Sequence, residues 1–172
     1  MKGFKVAKAT GKDVEVLVRQ RHMMFEEMRH PSKEEHRVGD ETYRSWARAK
    51  LRSGELLGLL VMSPDGRVVA GGCVWLREVQ PAPGRTSGVM PYLMSMYTEP
   101  EFRRRGLATL VVGKAMDWAR MGGYDRMTLH ASEPGKEVYS RLGWERSWEM
   151  RADLTGKPAR RKGPATASRA RS

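Results

Sequence analysis

Apolar residues recur at helical spacing in three long stretches of the chain. The first covers residues 13–29 and ends before His30-Pro31, because a residue that precedes proline avoids the α region. The second covers residues 41–51. The third covers residues 107–121, after which Gly122-Gly123 is a typical C-terminal stop. These stretches predict three helices, each with one apolar face.

Compact or alternating apolar runs predict six strands. Residues 56–62 and 67–79 flank Ser63-Pro64-Asp65-Gly66, a strong turn sequence, so we expect them to form a hairpin. A short fourth helix is predicted over residues 134–142. The other strands are predicted over residues 4–9, 89–99, 126–131 and 144–154. Helices and strands in this mixed order, in a chain of 172 residues, predict a single α/β domain.

Composition changes this prediction only at the C-terminal end. Residues 155–172 carry six basic and no acidic residues, half of the net charge of +12, in a segment rich in Ala, Gly, Pro and Ser. Such a segment buries too little apolar surface to offset the entropy of ordering it. We therefore expect a folded domain over residues 1–154 and a basic, disordered tail over residues 155–172.

Several classes of protein are disfavoured by what the sequence lacks. Its single cysteine, Cys73, excludes a disulfide within the chain and is expected in the core. No apolar run reaches the roughly 20 residues that cross a bilayer, and the N-terminus lacks the apolar region of a signal peptide. The sequence therefore predicts a cytoplasmic protein without a membrane partner.

Candidate chemistry is concentrated between Met94 and Ala108. A predicted strand is followed there by Pro100, a run of three arginines and Gly106, and then by a helix. The first amides of a helix have no partner within it, the helix dipole is positive at that end, and glycine lets an anion approach the backbone closely. The pattern fits a bound pyrophosphate, although a solvated charge run beside a helix start has the same composition.

The spacing Arg103-x-x-Gly106-x-Ala108 resembles the acetyl-coenzyme A signature of the Gcn5-related N-acetyltransferases, which is Arg or Gln, two residues, Gly, one residue, and Gly or Ala. A later stretch, Tyr139-x-x-Leu142-Gly143-Trp144, is similar to the family's Tyr-x-x-Leu-Gly-Phe element. The resemblance covers residues 4–154. It implies the acyl-coenzyme A N-acyltransferase fold, a single α/β domain whose mostly antiparallel central sheet splays in the middle between flanking helices.

The resemblance also implies a reaction and a set of binding residues. It implies transfer of acetyl from acetyl-coenzyme A to a primary amine, by direct attack in a ternary complex because no cysteine lies in the motif region. A strand amide near Met96 would be the oxyanion donor. The residues implied to bind the coenzyme are Met96, Tyr97 and Thr98 for the pantetheine arm, Arg103, Arg104, Arg105, Gly106, Leu107, Ala108 and Thr109 around the pyrophosphate, and Ser132, where some members carry Asn.

Proton transfer needs an acid and a base. By resemblance Tyr139 is the general acid that protonates the departing thiolate; the alternative is that its ring only packs against the coenzyme. Glu99 is the carboxylate nearest to the coenzyme strand and is one candidate base. Glu26, Glu27 and a chain of water molecules are the other candidates, and the sequence does not choose among them.

Other function classes and partners remain open at this level. The basic tail and the arginine run also fit a nucleic-acid or membrane-surface binding module, and a catalytically silent sensor of acetyl-coenzyme A is the third alternative. The acceptor is predicted to be a small-molecule amine rather than a protein, held by residues 23–40 and 80–90, and the chain is predicted to be a monomer or homodimer. His22, His30 and His36 match no metal-ligand spacing, so no metal is expected.

Overall fold

The computed structural model describes residues 3–83 and 87–149. Its centre is a five-stranded sheet in the order β1-β2-β3-β4-β5, in which neighbouring strands are antiparallel except for the parallel pair β4 and β5. The strands are β1 (Lys5–Lys8), β2 (Leu56–Met62), β3 (Val68–Glu78), β4 (Val89–Thr98) and β5 (Thr128–Leu129). The helices are α1 (Val14–Arg29), α2 (Lys33–Ser53), α3 (Leu107–Met121) and α4 (Lys136–Arg141). The predicted mixed α/β fold is thus confirmed.

Helices cover both faces of the sheet. Leu17 of α1 and Tyr43 of α2 belong to one apolar cluster with Leu60 of β2, whereas Val111 of α3 belongs to a second cluster with Val61. Leu60 and Val61 are consecutive residues of one strand, so their side chains point to opposite faces. The sheet is therefore a middle layer, with α1 and α2 on one side and α3 and α4 on the other.

Helix α2 is longer than its apolar spacing predicts. The predicted start at residue 41 is wrong, because the helix begins at Lys33 directly after the N-cap Ser32. Ser32 and Glu35 form a capping box, in which the Glu35 amide donates to the Ser32 hydroxyl and the Ser32 amide donates to the Glu35 carboxylate at 2.8 Å. Most of the first two turns is exposed, so capping rather than burial determines the helix start.

The C-terminal strands differ most from prediction. The strand predicted over residues 126–131 is reduced to Thr128–Leu129. The strand predicted over residues 144–154 is wrong for residues 144–149, which are irregular, while residues 150–154 and the predicted tail lie outside the described residues. Trp144 packs on the core but Trp148 is 86% exposed, so this segment presents no continuous apolar face to a sheet.

The remaining elements follow prediction closely. Helices α1 and α3 and the β2–β3 hairpin lie within two residues of their predicted bounds, and the hairpin turn is closed by the Ser63 amide donating to the Arg67 carbonyl at 2.9 Å. None of the helices within the described ranges is long and apolar enough to cross a membrane.

Candidate active site

Strand β4 contains a bulge at Ser95 and Met96. Tyr97 pairs with Gly71 of β3 and Met94 pairs with Cys73, so the two residues between them oppose the single residue Gly72. Ser95 adopts φ of +53°, a left-handed conformation that a non-glycine residue rarely takes outside functional or tightly constrained sites. The bulge turns main-chain groups of β4 out of the β3 ladder in the middle of the sheet.

The sheet splays beside this bulge. Strand β5 pairs with β4 only at Tyr92 and Leu93, although β4 continues to Thr98. On that side, residues 94–98 have no strand partner within the described part of the chain. An open strand edge of this length accepts an extended ligand in place of a further strand.

The start of α3 lies directly after β4. A short 3-10 turn, Pro100–Phe102, leads to Arg104 and Gly106, which both have positive φ values, +60° and +74°. The first α-helical hydrogen bond runs from the Leu110 amide to the Gly106 carbonyl at 3.0 Å, and no side chain caps the helix. The amides of residues 107–109 therefore have no acceptor in the helix, and together with the helix dipole they suit a phosphate group.

The three arginines before α3 have different surroundings. Arg103 donates through Nε to the Thr98 carbonyl at 2.9 Å and forms an ion pair with Glu27 of α1 at 2.5 Å. Arg105 lies over the ring of Phe102, and Arg104 and Arg105 are both exposed. Arg103 thus fastens the loop to α1, while Arg104 and Arg105 place positive charge beside the helix start.

Ser132 and Tyr139 both lie close to Gly135, in the segment after β5. A Cβ atom at Gly135 would lie 3.0 Å from the Tyr139 ring and 3.2 Å from the Ser132 hydroxyl, so the absent side chain leaves room for both beside the Gly135 backbone. The Tyr139 ring also packs edge-on against Trp144. Burial raises the pKa of Tyr139, and the neighbouring Tyr92 phenol adds to this effect, so Tyr139 keeps its proton at neutral pH.

The three candidate carboxylate bases are each held by a basic group. Glu99 forms an ion pair with Arg19 at 2.6 Å and accepts a hydrogen bond from the Tyr97 hydroxyl at 3.3 Å. Glu27 pairs with Arg103, and Glu26 hydrogen-bonds His36 at 2.7 Å. A cavity between α1, α2, β3 and β4 reaches the bulge, and none of these three carboxylates lines it.

This cavity, of about 440 Å³, lies between the first two helices and strands β3 and β4. Met94 forms part of its wall, so the cavity extends to the residue before Ser95. Burial raises the pKa of Tyr43, as does the Cys73 thiol, and a hydrogen bond with Ser95 opposes the rise. The lining residues are Arg21, Gly39, Thr42, Tyr43, Trp46, Trp75, Tyr92 and Met94.

The sequence did not identify this lining. Of the segments expected to hold an acceptor, residues 23–40 and 80–90, only Gly39 lines the cavity. Tyr43 and Trp46 lie three residues apart on α2, and their spacing is that of an ordinary core face. The available signal was the number of aromatic residues on that face, since Tyr43 stacks on Trp46 and Trp46 meets Trp75 edge-on.

A histidine cluster lies in a separate cavity. His22 and Asp40 hydrogen-bond at 2.6 Å, and the His22 and His36 rings stack with centroids 3.9 Å apart. One ligand atom from each of these three residues lies within 4.8 Å of the others, a donor set that could hold a transition-metal ion. His22 and Glu26, and likewise His36 and Asp40, are four residues apart, so helical spacing could have revealed the grouping.

The chain is similar to one protein family over most of its length. Residues 20–144 match the model of the Acetyltransferase (GNAT) family. No curated protein matches the chain. Solved structures with similar folds include a GCN5-related N-acetyltransferase from Ralstonia eutropha JMP134, with 25% identity and a TM-score of 0.81 over 90% of this chain and 100% of that chain.

Two further structures show the same fold at lower identity. A predicted acetyltransferase from Clostridium acetobutylicum, solved with acetyl-CoA, has 24% identity and a TM-score of 0.78 over 88% of this chain and 96% of that chain. Glucosamine-6-phosphate N-acetyltransferase from Arabidopsis thaliana has 18% identity and a TM-score of 0.67, covering 88% of this chain and 98% of that chain.

Proposed function

The chain belongs to the GNAT family of acetyltransferases and is an acyltransferase, and we propose that it transfers acetyl from acetyl-coenzyme A to a primary amine of a small molecule. The observation that carries the proposal is the open edge of β4 over residues 94–98, which runs directly into the uncapped start of α3. An open cavity of about 440 Å³ that reaches the same edge supports a small acceptor.

Binding of the coenzyme is assigned to the backbone more than to side chains. Amides of residues 107–109 face the pyrophosphate, Gly106 permits its close approach, and exposed Arg104 and Arg105 add charge. The pantetheine arm pairs with Met96 and Tyr97 at the open edge. The Thr98 carbonyl already accepts from Arg103, so Arg103 and Thr98 position this loop and leave pairing to the two residues before them.

Acetyl transfer proceeds by direct attack. The neutral amine nitrogen forms a bond to the thioester carbonyl carbon, the carbon–sulfur bond breaks, and the products are an N-acetyl amide and the free thiol of coenzyme A. Negative charge developing on the carbonyl oxygen is received by the Met96 amide, which the bulge turns out of the β3 ladder. One such donor contributes about 2.7–4 kcal/mol to transition-state stabilisation.

Tyr139 supplies the proton that the departing sulfur takes up. Its raised pKa keeps the phenol protonated at neutral pH, and solvent returns the proton afterwards. The surplus proton of the amine leaves through water, because Glu26, Glu27 and Glu99 are each held by a basic partner.

An acyl-enzyme on Cys73 is disfavoured. The thiol is 1% exposed, and burial raises the pKa of Cys73 to about 11, so almost no thiolate is present at neutral pH. This supports a ternary complex in which the amine attacks the thioester itself.

Isothermal titration calorimetry with acetyl-coenzyme A tests the first step of the proposal. We expect saturable 1:1 binding by the full chain, weakened strongly in Gly106→Val, because a β-branched residue disfavours φ of +74° and blocks the approach to the backbone. Absence of binding by the folded wild-type protein at millimolar coenzyme would contradict the proposal.

A further inference from the structure

The cavity that reaches the β4 bulge carries charge of one sign. Of the residues that line it in the described part of the chain, Arg21 is the only charged one. Its guanidinium lies between two rings, 4.6 Å from the Phe25 centroid and 4.7 Å from the Tyr43 centroid. Stacking of this kind fixes the orientation of the planar group while leaving its N–H donors available in the plane.

Arg21 has no carboxylate partner at ion-pair distance among residues 3–83 and 87–149. Burial lowers its pKa, and the electrostatic interactions with Tyr43 and Asp40 only partly oppose this effect. An arginine stays protonated even so, and a partly desolvated guanidinium favours a bidentate anion. The cavity therefore contains a preoriented cation that the folded chain does not neutralise by direct contact.

The rest of the wall is aromatic. Tyr43, Trp46, Trp75 and Tyr92 surround the space. Aromatic walls of this kind suit a flat apolar group.

We propose that the acceptor is a primary amine that carries both an aromatic ring and a carboxylate, as in an aromatic amino acid or a close derivative. This inference rests on the proposed acetyl transfer and names its substrate class. The carboxylate pairs with Arg21, the aromatic body packs among the tryptophans and tyrosines, and the amine points past Met94 toward the bulge. Polycationic amines, such as polyamines and aminoglycosides, are excluded by the same argument, because they would meet Arg21 and no lining carboxylate.

Matched pairs of amines measure the contribution of the carboxylate. L-Tryptophan against tryptamine, and L-phenylalanine against phenethylamine, differ only by that group, and spermidine and kanamycin represent polycations. The assay follows release of free thiol at saturating acetyl-coenzyme A and gives kcat/KM for each amine. A charged hydrogen-bonded pair of this kind corresponds to a preference of about 10- to 100-fold for the amino acid.

Arg21→Met tests whether this residue causes the preference. The wild-type ratio of kcat/KM for each amine pair, divided by the same ratio in the variant, should be about 10 to 100, because the intrinsic difference in amine basicity is the same in both proteins and cancels. Arg29→Met is the matched control, because Arg29 lies on the same helix and also stacks on Phe25 at 5.5 Å but does not line the cavity. Arg21→Lys is the second variant, to be used if Arg21→Met folds poorly. It keeps the positive charge and should retain part of the preference for the amino acid.

A binding measurement separates this inference from the proposed function. Trp46 and Trp75 line the cavity, so titration with an amino acid should change tryptophan fluorescence in wild type and in Arg29→Met but not in Arg21→Met. Arginine-dependent binding without turnover of any amine would support the cavity assignment and contradict acetyl transfer. Equal or faster turnover of tryptamine or spermidine would overturn the inference and leave acetyl transfer intact, and absence of both binding and turnover would overturn both.

Discussion

Arg103, in the loop before α3, forms an ion pair with Glu27 of α1, with 2.5 Å between its guanidinium and the carboxylate. The same guanidinium donates to the Thr98 carbonyl. The first arginine of the sequence motif thus joins three elements around the open strand edge, and its contacts are with protein groups. We therefore propose a positioning role for Arg103 in coenzyme binding.

Glu27→Gln and Arg103→Met should therefore weaken acetyl-coenzyme A binding to a similar and modest extent. Both groups are about 40% exposed, and an exposed ion pair is worth about 0.2–1 kcal/mol, or up to roughly fivefold in Kd. Calorimetry on both variants decides the role. If Arg103 instead bound phosphate directly, Glu27→Gln would leave affinity unchanged or raise it, while Arg103→Met would lower it.

Tyr139→Phe should lower kcat without changing the Kd of acetyl-coenzyme A. The variant keeps the ring that packs on Trp144 and removes the proton, and general acid catalysis is typically worth about 10²–10⁴-fold. Turnover at saturating coenzyme and calorimetry measure the two quantities separately. Turnover at the wild-type rate on a good acceptor would return Tyr139 to a packing role and leave sulfur to be protonated by water.

Substitution by alanine at two glycines should change the free energy of unfolding in opposite directions. A Cβ at Gly71 would lie 2.4 Å from the Gln20 amide oxygen and 2.8 Å from the Leu59 carbonyl, which is backbone, so Gly71→Ala should destabilise the fold by about 1–3 kcal/mol. Gly113 lies inside α3 with open space around it, so Gly113→Ala should stabilise by about 0.5–1 kcal/mol. Urea denaturation of both variants measures these changes in the free energy of unfolding, and a neutral Gly71→Ala would contradict the tight packing of α1 on β3.

Stability should fall at alkaline pH through Cys73. Burial raises the pKa of the thiol from 9.0 to about 11 in the folded chain, so the unfolded chain loses its proton first. The stabilisation is complete below pH 9 and is lost as the pH rises toward 11, by at most about 1.4 kcal/mol per pH unit. Cys73→Ala should show a shallower decline than wild type between pH 9 and 11 in urea denaturation. Identical slopes would contradict the burial of the thiol.

The sequence predicted those elements that have a continuous apolar face and turn residues at their ends. Helix α3 and the β2–β3 hairpin combine clear spacing with turn residues, and both were predicted within two residues. The first two turns of α2 were not predicted, because their residues are mostly exposed and form no apolar pattern. Ser32 and Glu35 nevertheless have the spacing of a capping box. The strand predicted from Trp144 is wrong over residues 144–149, because alternation in sequence does not show which partner would bury the strand.

Part of the candidate site could be predicted from the sequence and part could not. The loop before α3 could be predicted because the backbone there needs specific residues, such as Gly106 at φ of +74°. The aromatic cavity could not, since Tyr43 and Trp75 come from a helix and a strand whose relative placement only tertiary packing determines. The bulge at Ser95 could not be predicted either, because serine has no preference for the left-handed conformation that it adopts there.

Product stoichiometry is the most direct test of acetyl transfer by this chain. The full chain, acetyl-coenzyme A and an amine acceptor are incubated together, and free thiol is titrated while the amide is counted by mass spectrometry. We expect one N-acetylated amine per thiol released, with release dependent on the amine and greatly slowed in Tyr139→Phe. Saturable binding of acetyl-coenzyme A with no amide formed from any amine would contradict acetyl transfer, and the protein would then bind the coenzyme without transferring its acetyl group.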